Sequence, residues 1–165
     1  MKTEAAPSHG LGAALTALII RADGLLASVP RSLALLALRF ALAVPFFKSG
    51  LTKWDGFLTL SQGARYLFEQ EFKLHIFGSE IPYPFPLAMA TAAGITELIL
   101  PILLILGLAT RFAALGLLLM TAVIQLTIPD GWANFHLPWA AMALALVGFG
   151  SGRIAIDPLV MPRLK

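Results

Sequence analysis

Apolar residues fill four long stretches of the chain, and shorter polar segments separate them. The stretches run over residues 33–51, 86–108, 112–128 and 136–149. A helix of about 20 residues spans the hydrocarbon layer of a bilayer, because each residue adds about 1.5 Å. The pattern therefore predicts an all-α, integral membrane protein with four spanning helices.

The polar segments predict how these helices are connected. All connections are short except the first, which favours an antiparallel four-helix bundle. Within the long connection, residues 58–72 carry apolar side chains at helical spacing, which predicts an amphipathic outer-loop helix on the membrane surface. Residues 11–29 are apolar but are interrupted by Arg21 and Asp23. We expect an N-terminal interfacial helix there, with a fifth spanning helix as the alternative.

Three parts follow from this pattern. Residues 1–30 form a short disordered tail and the interfacial helix, residues 31–151 form the four-helix membrane domain, and residues 152–165 form a C-terminal tail in water. Lys and Arg favour the side that holds both termini, seven against three. The positive-inside rule then makes both termini cytoplasmic and the chain a multi-pass protein of an inner membrane.

Composition supports lipid as the surrounding medium. Hydrophobic residues make up 58% of the chain, charged residues only 13%, and mean hydropathy is +0.83. Soluble domains carry roughly 25% charged residues. The net charge of +3 is scattered along the chain and forms no basic tract. Membrane lipid is therefore the predicted partner, and nucleic acid is not.

The residue types present restrict the chemistry of the chain. It has no cysteine, which excludes disulfides, thiolate metal sites and iron–sulfur ligation within it. The three histidines lie far apart in sequence, so we predict no metal site. No nucleophile–base arrangement, phosphate loop or dinucleotide motif is present. We therefore assign no catalytic residue and no intrinsic cofactor, and whether the chain is an enzyme stays open.

Two charges fall deep inside the predicted spans. Glu97 lies near the middle of the second span, and Arg39 lies about 10 Å in from the same side along the first. An isolated charge at this depth costs several kcal/mol, so we predict that Arg39 pairs with Glu97. The pair is either a ligand-binding element or a structural clasp between the two helices.

Three further polar side chains belong to the outer third of the bundle. Lys48, Gln125 and His136 are predicted to line a polar cleft that holds the head group of a ligand such as a quinone. Each also has a simpler interpretation: Lys48 reaches toward water, Gln125 bonds a neighbouring helix, and His136 is an interfacial residue. Four residues are predicted to anchor the bundle at the membrane interface: Lys53, Trp54, Trp132 and Trp139.

Three sets of residues, in order along the chain, resemble the DoxX family of small bacterial membrane proteins over about residues 31–160. The first set lies in the first span, the second combines Glu97 with the following hairpin, and the third follows the fourth span. They are Arg39, Phe47, Gly50 and Lys53; Glu97 and residues 107–111; and Gly150, Gly152, Arg153, Ile154 and Asp157.

The resemblance implies a bacterial inner-membrane protein associated with redox complexes, namely a quinone-reducing thiosulfate oxidoreductase and an oxidative-stress complex with superoxide dismutase. Arg39, Lys53 and Glu97 are the residues that it carries over. Phe68-Glu69, Ile81-Pro82 and residues 136–139 resemble a subgroup encoded beside peptide-modifying iron enzymes of metal-stress operons.

We therefore expect the membrane subunit of a redox- or metal-stress system, with a protein partner that supplies electrons and a quinone or lipid-like ligand near Arg39 and Glu97. A non-enzymatic scaffold that docks a partner through residues 55–85 is the first alternative. A small transporter is the second, and it would need a homo-oligomer, because four helices enclose only a narrow path.

Overall fold

The computed structural model describes residues 10–160, so the predicted tails at residues 1–9 and 161–165 lie outside the described range. Within that range, four helical segments are long and apolar enough to cross a membrane, as the hydrophobic pattern predicts. They are α2 (Arg31–Leu51), α4 (Pro86–Leu106), α5 (Thr110–Thr127) and the segment Pro129–Phe149, which ends in α6 (Leu137–Phe149).

The core of the protein lies among these four helices. Each contributes one leucine that is fully shielded: Leu42, Leu104, Leu117 and Leu146 are all 0% exposed. Helix α2 packs against α4 and α6, and α5 packs against the same two helices. The opposite faces of the helices carry exposed Leu, Ile, Val and Phe side chains, as expected where lipid replaces water.

A separate helix, α1 (Gly10–Ala27), precedes this core and matches the helix predicted from residues 11–29. Every side chain described in it is exposed, so it makes no contribution to the core. Pro30 adopts an extended conformation at the start of α2 and separates the two helices. The interfacial location of α1 and its alternative, a fifth span, both stay predictions.

The long connection, residues 52–85, is called here the outer segment. It contains two antiparallel hairpins, β1 (Trp54–Gly56) with β2 (Thr59–Leu60) and β3 (Lys73–Ile76) with β4 (Ser79–Pro82). Between them lies α3 (Gln62–Tyr66), which continues into a π-helical turn over Leu67–Glu71. The single amphipathic helix predicted over residues 58–72 is therefore wrong at its start, and the strands that flank α3 were missed.

Turn geometry explains the second hairpin. Phe77 and Gly78 both have positive φ values, 49° and 81°, which is the pattern of a two-residue type I′ turn. Phenylalanine seldom adopts this conformation, so the sequence Phe-Gly gives a weaker hairpin signal than Asn-Gly would. The turn nevertheless places Lys73 opposite Pro82 and His75 opposite Glu80.

The outer segment packs onto the ends of α4 and α5. Phe68 and Leu60 are buried in a small apolar cluster with Ala90 of α4. On α5, Nδ1 of His75 donates to the carbonyl oxygen of Leu126 at 3.1 Å. These contacts hold the segment against the helices that it connects.

Helices α2 and α4 meet at two levels, and small residues permit both contacts. A Cβ atom on Gly50 would lie 3.0 Å from the main chain of Glu97. A Cβ atom on Gly107 would overlap the guanidinium group of Arg39. The two levels lie about ten residues apart along each helix, since Arg39 precedes Gly50 and Glu97 precedes Gly107. Helix α2 therefore ends beside the middle of α4, where Glu97 lies.

The chain after α6 folds back onto the helix ends. Nη2 of Arg39 donates to the carbonyl oxygen of Ile154 at 2.5 Å. The carboxylate of Asp157 accepts hydrogen bonds from the amides of Ala109 and Thr110, at 2.6 and 3.0 Å, at the start of α5. Asp157 also begins a short helix, α7 (Asp157–Val160). The predicted C-terminal tail in water, residues 152–165, is thus wrong for its first part, which is a packed part of the domain.

Candidate functional site

Glu97 has a basic partner, but the partner is not the one predicted. Nζ of Lys53 lies 2.5 Å from Oε2 of Glu97, and the two side chains are only 12% and 6% exposed. Nζ of Lys53 also donates to Oγ of Ser49 at 3.1 Å. The predicted Arg39–Glu97 pair is wrong, because the offset between α2 and α4 brings the end of α2, and not its middle, to the level of Glu97.

The same geometry corrects the role of Lys53. We predicted that Lys53 anchors the bundle at the membrane interface, and the structure places its ammonium group inside the protein against Glu97. Its neighbour Trp54 is half-buried and packs against Gly94, where any Cβ atom would collide with the indole ring. Lys53 was among the residues carried over by the family resemblance, and this was the signal that could have identified the pair.

Arg39 belongs to a different part of the molecule. Its side chain is 1% exposed and lies beneath Gly107, at the hairpin between α4 and α5. Besides the bond to Ile154, its charge interacts with Asp157. Arg39 therefore connects α2 to the hairpin and to the segment after α6, which differs from both roles predicted for an Arg39–Glu97 pair. The family-like motifs around residues 39, 107 and 157 form one cluster at this end.

A cavity of about 750 Å³ opens beside the Lys53–Glu97 pair, and we call it the central cavity. It lies between α2, α4, α5 and the start of the fourth span, with the outer segment over it. Most of its wall is apolar, including Phe46, Met89 and Trp139. Its polar groups include the ion pair and His136. A large apolar space with few polar groups is the common form of a small-molecule site.

Two of the predicted ligand-binding residues, Gln125 and His136, contact each other. Nε2 of Gln125 donates to the carbonyl oxygen of Pro129 at 3.1 Å, which turns Oε1 toward Nδ1 of His136 at 2.6 Å. A carboxamide oxygen only accepts, so Nδ1 of His136 carries the hydrogen. In the neutral ring Nε2 is then an acceptor, and it has no hydrogen-bond partner among residues 10–160.

Local backbone geometry positions this histidine. His136 closes a π-helical turn, Trp132–His136, that follows a 3₁₀ turn over Pro129–Gly131. The Pro-Asp-Gly sequence at residues 129–131 is typical of a turn, and it gives no sign of the π-helical turn that follows. The imidazole lies over Gly131, where a Cβ atom would be 2.5 Å from Cε1. π-helical turns often occur at functional sites, because they change the direction of one side chain.

Aromatic and hydroxyl groups complete the cavity wall. The rings of Phe46 and Trp139 have centroids 4.9 Å apart, and His136 lies 5.5 Å from Trp139. On the side of the outer segment, the hydroxyl groups of Tyr83 and Thr127 are 2.5 Å apart. Neither residue was predicted to line a cavity: Tyr83 fits an interface belt by its position in the sequence, and Thr127 gives no signal there.

The remaining predicted residues lie outside the site or at its edge. Lys48 is exposed and does not line the central cavity, and Trp132 is 49% exposed. Trp139, predicted as an interface anchor, lines the cavity. Within residues 10–160, no three His, Asp or Glu side chains are close enough together to hold a metal ion.

The central cavity can therefore hold a largely apolar molecule, with a charged pair and an imidazole to bind its polar atoms. Comparison with known proteins gives a family but no function. A family model described as DoxX matches residues 34–130. A Haemophilus influenzae relative, described as an uncharacterized protein, is 34% identical over 139 residues, and the match covers 76% of this chain and 82% of that relative. No solved structure matches the chain. Its apolar helices fit a membrane protein, and the chain belongs to the DoxX family.

Proposed function

We propose that this DoxX protein is the membrane subunit of a redox- or metal-stress system and binds a quinone or a similar amphiphilic ligand in the central cavity. The observation that carries the proposal is the buried Lys53–Glu97 pair on a mostly apolar cavity wall. Placing two charges in such an environment is costly, so they are retained for a purpose that an apolar pair would not serve.

The size and wall of the cavity support this class of ligand. Its volume of about 750 Å³ lies within the usual range for small-molecule sites, about 300–1,000 Å³. Trp139 and Phe46 offer aromatic faces for a planar ring. The ammonium of Lys53 and the carboxylate of Glu97 offer a donor and an acceptor to the polar atoms of a head group.

The proposal also includes a membrane arrangement and a partner. The four spans form an antiparallel bundle in a bacterial inner membrane with both termini in the cytoplasm, since the spans alternate in direction and the basic residues favour that side. The electrons come from a partner protein, because the side chains of this cysteine-free chain do not store them.

Co-purification tests the ligand. We would purify the full chain from its native membrane in mild detergent, extract it with organic solvent and quantify quinone per protein by mass spectrometry. We expect near-stoichiometric quinone for the unmodified chain and a several-fold lower amount for a Glu97→Gln, Lys53→Met variant. Equal amounts of quinone in both preparations, or only bulk phospholipid, would contradict the proposal.

A scaffold is the second candidate, and the tips of the outer segment favour it. Phe57, Phe77 and Phe85 are 93%, 104% and 83% exposed, and each lies in or next to a turn. Large exposed apolar side chains of this kind are typical of contact sites. If the scaffold role is correct, Phe57→Ser with Phe77→Ser abolishes co-purification of a partner protein and leaves bound quinone unchanged. Retention of the same partner would contradict it.

A further inference from the structure

A second cavity lies at the other end of the four helices and shares no residue with the central cavity. Its volume is about 690 Å³, and we call it the arginine cavity. Its wall combines the start of α2, the start of α5 and the segment that follows α6. Residues of the family-like motifs, including Arg111, Arg153 and Asp157, line it, but the proposed function gives it no role.

The charge of this cavity is positive. Arg31, Arg111 and Arg153 line it, and Asp157 is the one acidic residue in its wall. Both carboxylate oxygens of Asp157 already accept main-chain amides at the start of α5. The cavity therefore presents three guanidinium groups and one carboxylate, and that carboxylate already accepts two main-chain hydrogen bonds.

The arginines are held in place and still have free donors. Nη1 of Arg111 donates to the carbonyl oxygens of Val147 and Gly148, at 2.5 and 2.9 Å, which leaves its other nitrogens available. The guanidinium of Arg31 lies 4.6 Å from the ring centroid of Phe149, a stacked position that leaves its edge free for hydrogen bonds. The main-chain amide of Arg153 donates to Oγ of Ser32 at 3.0 Å and fixes the turn that carries its side chain.

The surroundings favour a ligand that is partly apolar. Phe112 and Phe149 also line the cavity, and their side chains are 74% and 60% exposed. They lie at the ends of two spanning helices, at the depth where lipid head groups meet acyl chains. Basic pockets between the ends of spanning helices are suited to anionic lipid head groups.

We propose that the arginine cavity binds a phosphate group, with Arg31 and Arg153 as direct ligands. The phosphate belongs either to an anionic phospholipid or to free inorganic phosphate. The exposed phenylalanines favour the phospholipid, since its acyl chains would lie along them.

Native mass spectrometry of the full chain in detergent tests this site. Dioleoyl-phosphatidylglycerol and dioleoyl-phosphatidylcholine are each titrated alone, and inorganic phosphate is added as a competitor. We compare the unmodified chain with an Arg31→Gln, Arg153→Gln variant. An Arg21→Gln variant serves as the matched control, because Arg21 lies on the exposed helix α1. Circular dichroism checks that all forms are folded.

We expect phosphatidylglycerol to bind the unmodified and Arg21→Gln chains more tightly than phosphatidylcholine. The double variant should bind phosphatidylglycerol more weakly by roughly tenfold for each arginine removed. Competition by inorganic phosphate would identify free phosphate as a ligand, and its absence would identify the lipid; both outcomes support the site. Equal affinity for the two lipids, or an affinity that the double variant leaves unchanged, would overturn the proposal.

Discussion

Nζ of Lys53 and Oε2 of Glu97 are 2.5 Å apart, although Lys53 follows the end of α2 and Glu97 lies in the middle of α4. The contact exists because Gly50 lets α2 approach the main chain of Glu97 closely. Lys53 then needs only to turn back from the helix end. This offset between the two helices determines which base neutralises the buried acid.

Substitutions of Lys53 and Glu97 should have non-additive effects on the free energy of unfolding. Removing either partner leaves the other charged group buried, which costs about 3–5 kcal/mol. We therefore expect Glu97→Gln and Lys53→Met each to destabilise the protein, and the double variant to be more stable than the sum of the two losses predicts. Unfolding in detergent, followed by circular dichroism, measures the three values. Strict additivity would show that the two side chains do not interact.

The exposed ion pair of the outer segment provides the matched comparison. Lys73 and Glu80 lie 3.0 Å apart, with side chains 43% and 58% exposed. Exposed pairs contribute about 0–1 kcal/mol. Lys73→Met should therefore have a much smaller effect on unfolding than Lys53→Met.

Gly107 should tolerate no side chain. Its φ is +68°, and an added Cβ atom would collide with both Arg39 and Ala155. Gly107→Ala should cost several kcal/mol, through overpacking and the left-handed backbone. Gly148→Ala is the control, since a Cβ atom there meets nothing within 4 Å and lies in a helix. We expect it to be neutral or stabilising by about 0.5–1 kcal/mol. Equal melting temperatures for the two variants would contradict this packing.

Asp157 should stabilise the start of α5, although it lies far from that helix in the sequence. Its carboxylate accepts two amides there and lies at the positive end of the helix dipole. Asp157→Asn should destabilise the protein by about 1–2 kcal/mol and increase amide hydrogen exchange over residues 109–113. Asp23→Asn, on the exposed helix α1, should change neither quantity. Unchanged exchange in Asp157→Asn would exclude the cap.

The second hairpin should become less stable at acidic pH. The hydrogen bond from Lys73 and the charges of Lys73 and His75 lower the pKa of Glu80 from its ordinary 4.5. A lowered pKa stabilises the folded hairpin above pH 4.5, and this contribution is lost as the pH falls through the lowered value. Lys73→Met should bring the pKa of Glu80 back toward 4.5. Carboxyl carbon chemical shifts followed by NMR through the titration give the pKa directly, and no difference between the two forms would contradict the contact.

The sequence predicted the four spanning segments well, because hydrophobic length depends on local composition. It also identified Glu97, Gln125 and His136 as unusual polar residues within them. The predicted partner of Glu97 was wrong, because the depths of Arg39 and Glu97 were counted from the helix ends. That count assumes that α2 and α4 end at the same level. Only the contacts at Gly50 and Gly107 reveal the offset.

The prediction for the outer segment was wrong for a different reason. Its apolar residues satisfy a helical period and also the contacts of two short hairpins, and the turn at Phe77-Gly78 has no strong sequence signal. The packing of residues 150–157 onto the bundle was missed as well. The resemblance placed Gly150, Gly152 and Asp157 in a motif, but a motif alone does not say what its residues contact.

The binding of a quinone in the central cavity can be measured most directly by the quenching of tryptophan fluorescence, because Trp139 is the one of the three tryptophans that lines the cavity. Decyl-ubiquinone is titrated into the purified full chain in detergent, with Ala92→Phe as the test variant and Ala122→Phe as the control. Both alanines are exposed, but only Ala92 lines the cavity. We predict saturable quenching that Ala92→Phe weakens at least about tenfold, by filling the cavity, and that Ala122→Phe leaves unchanged. Quenching that does not saturate, or that both variants alter equally, would contradict a quinone site in this cavity.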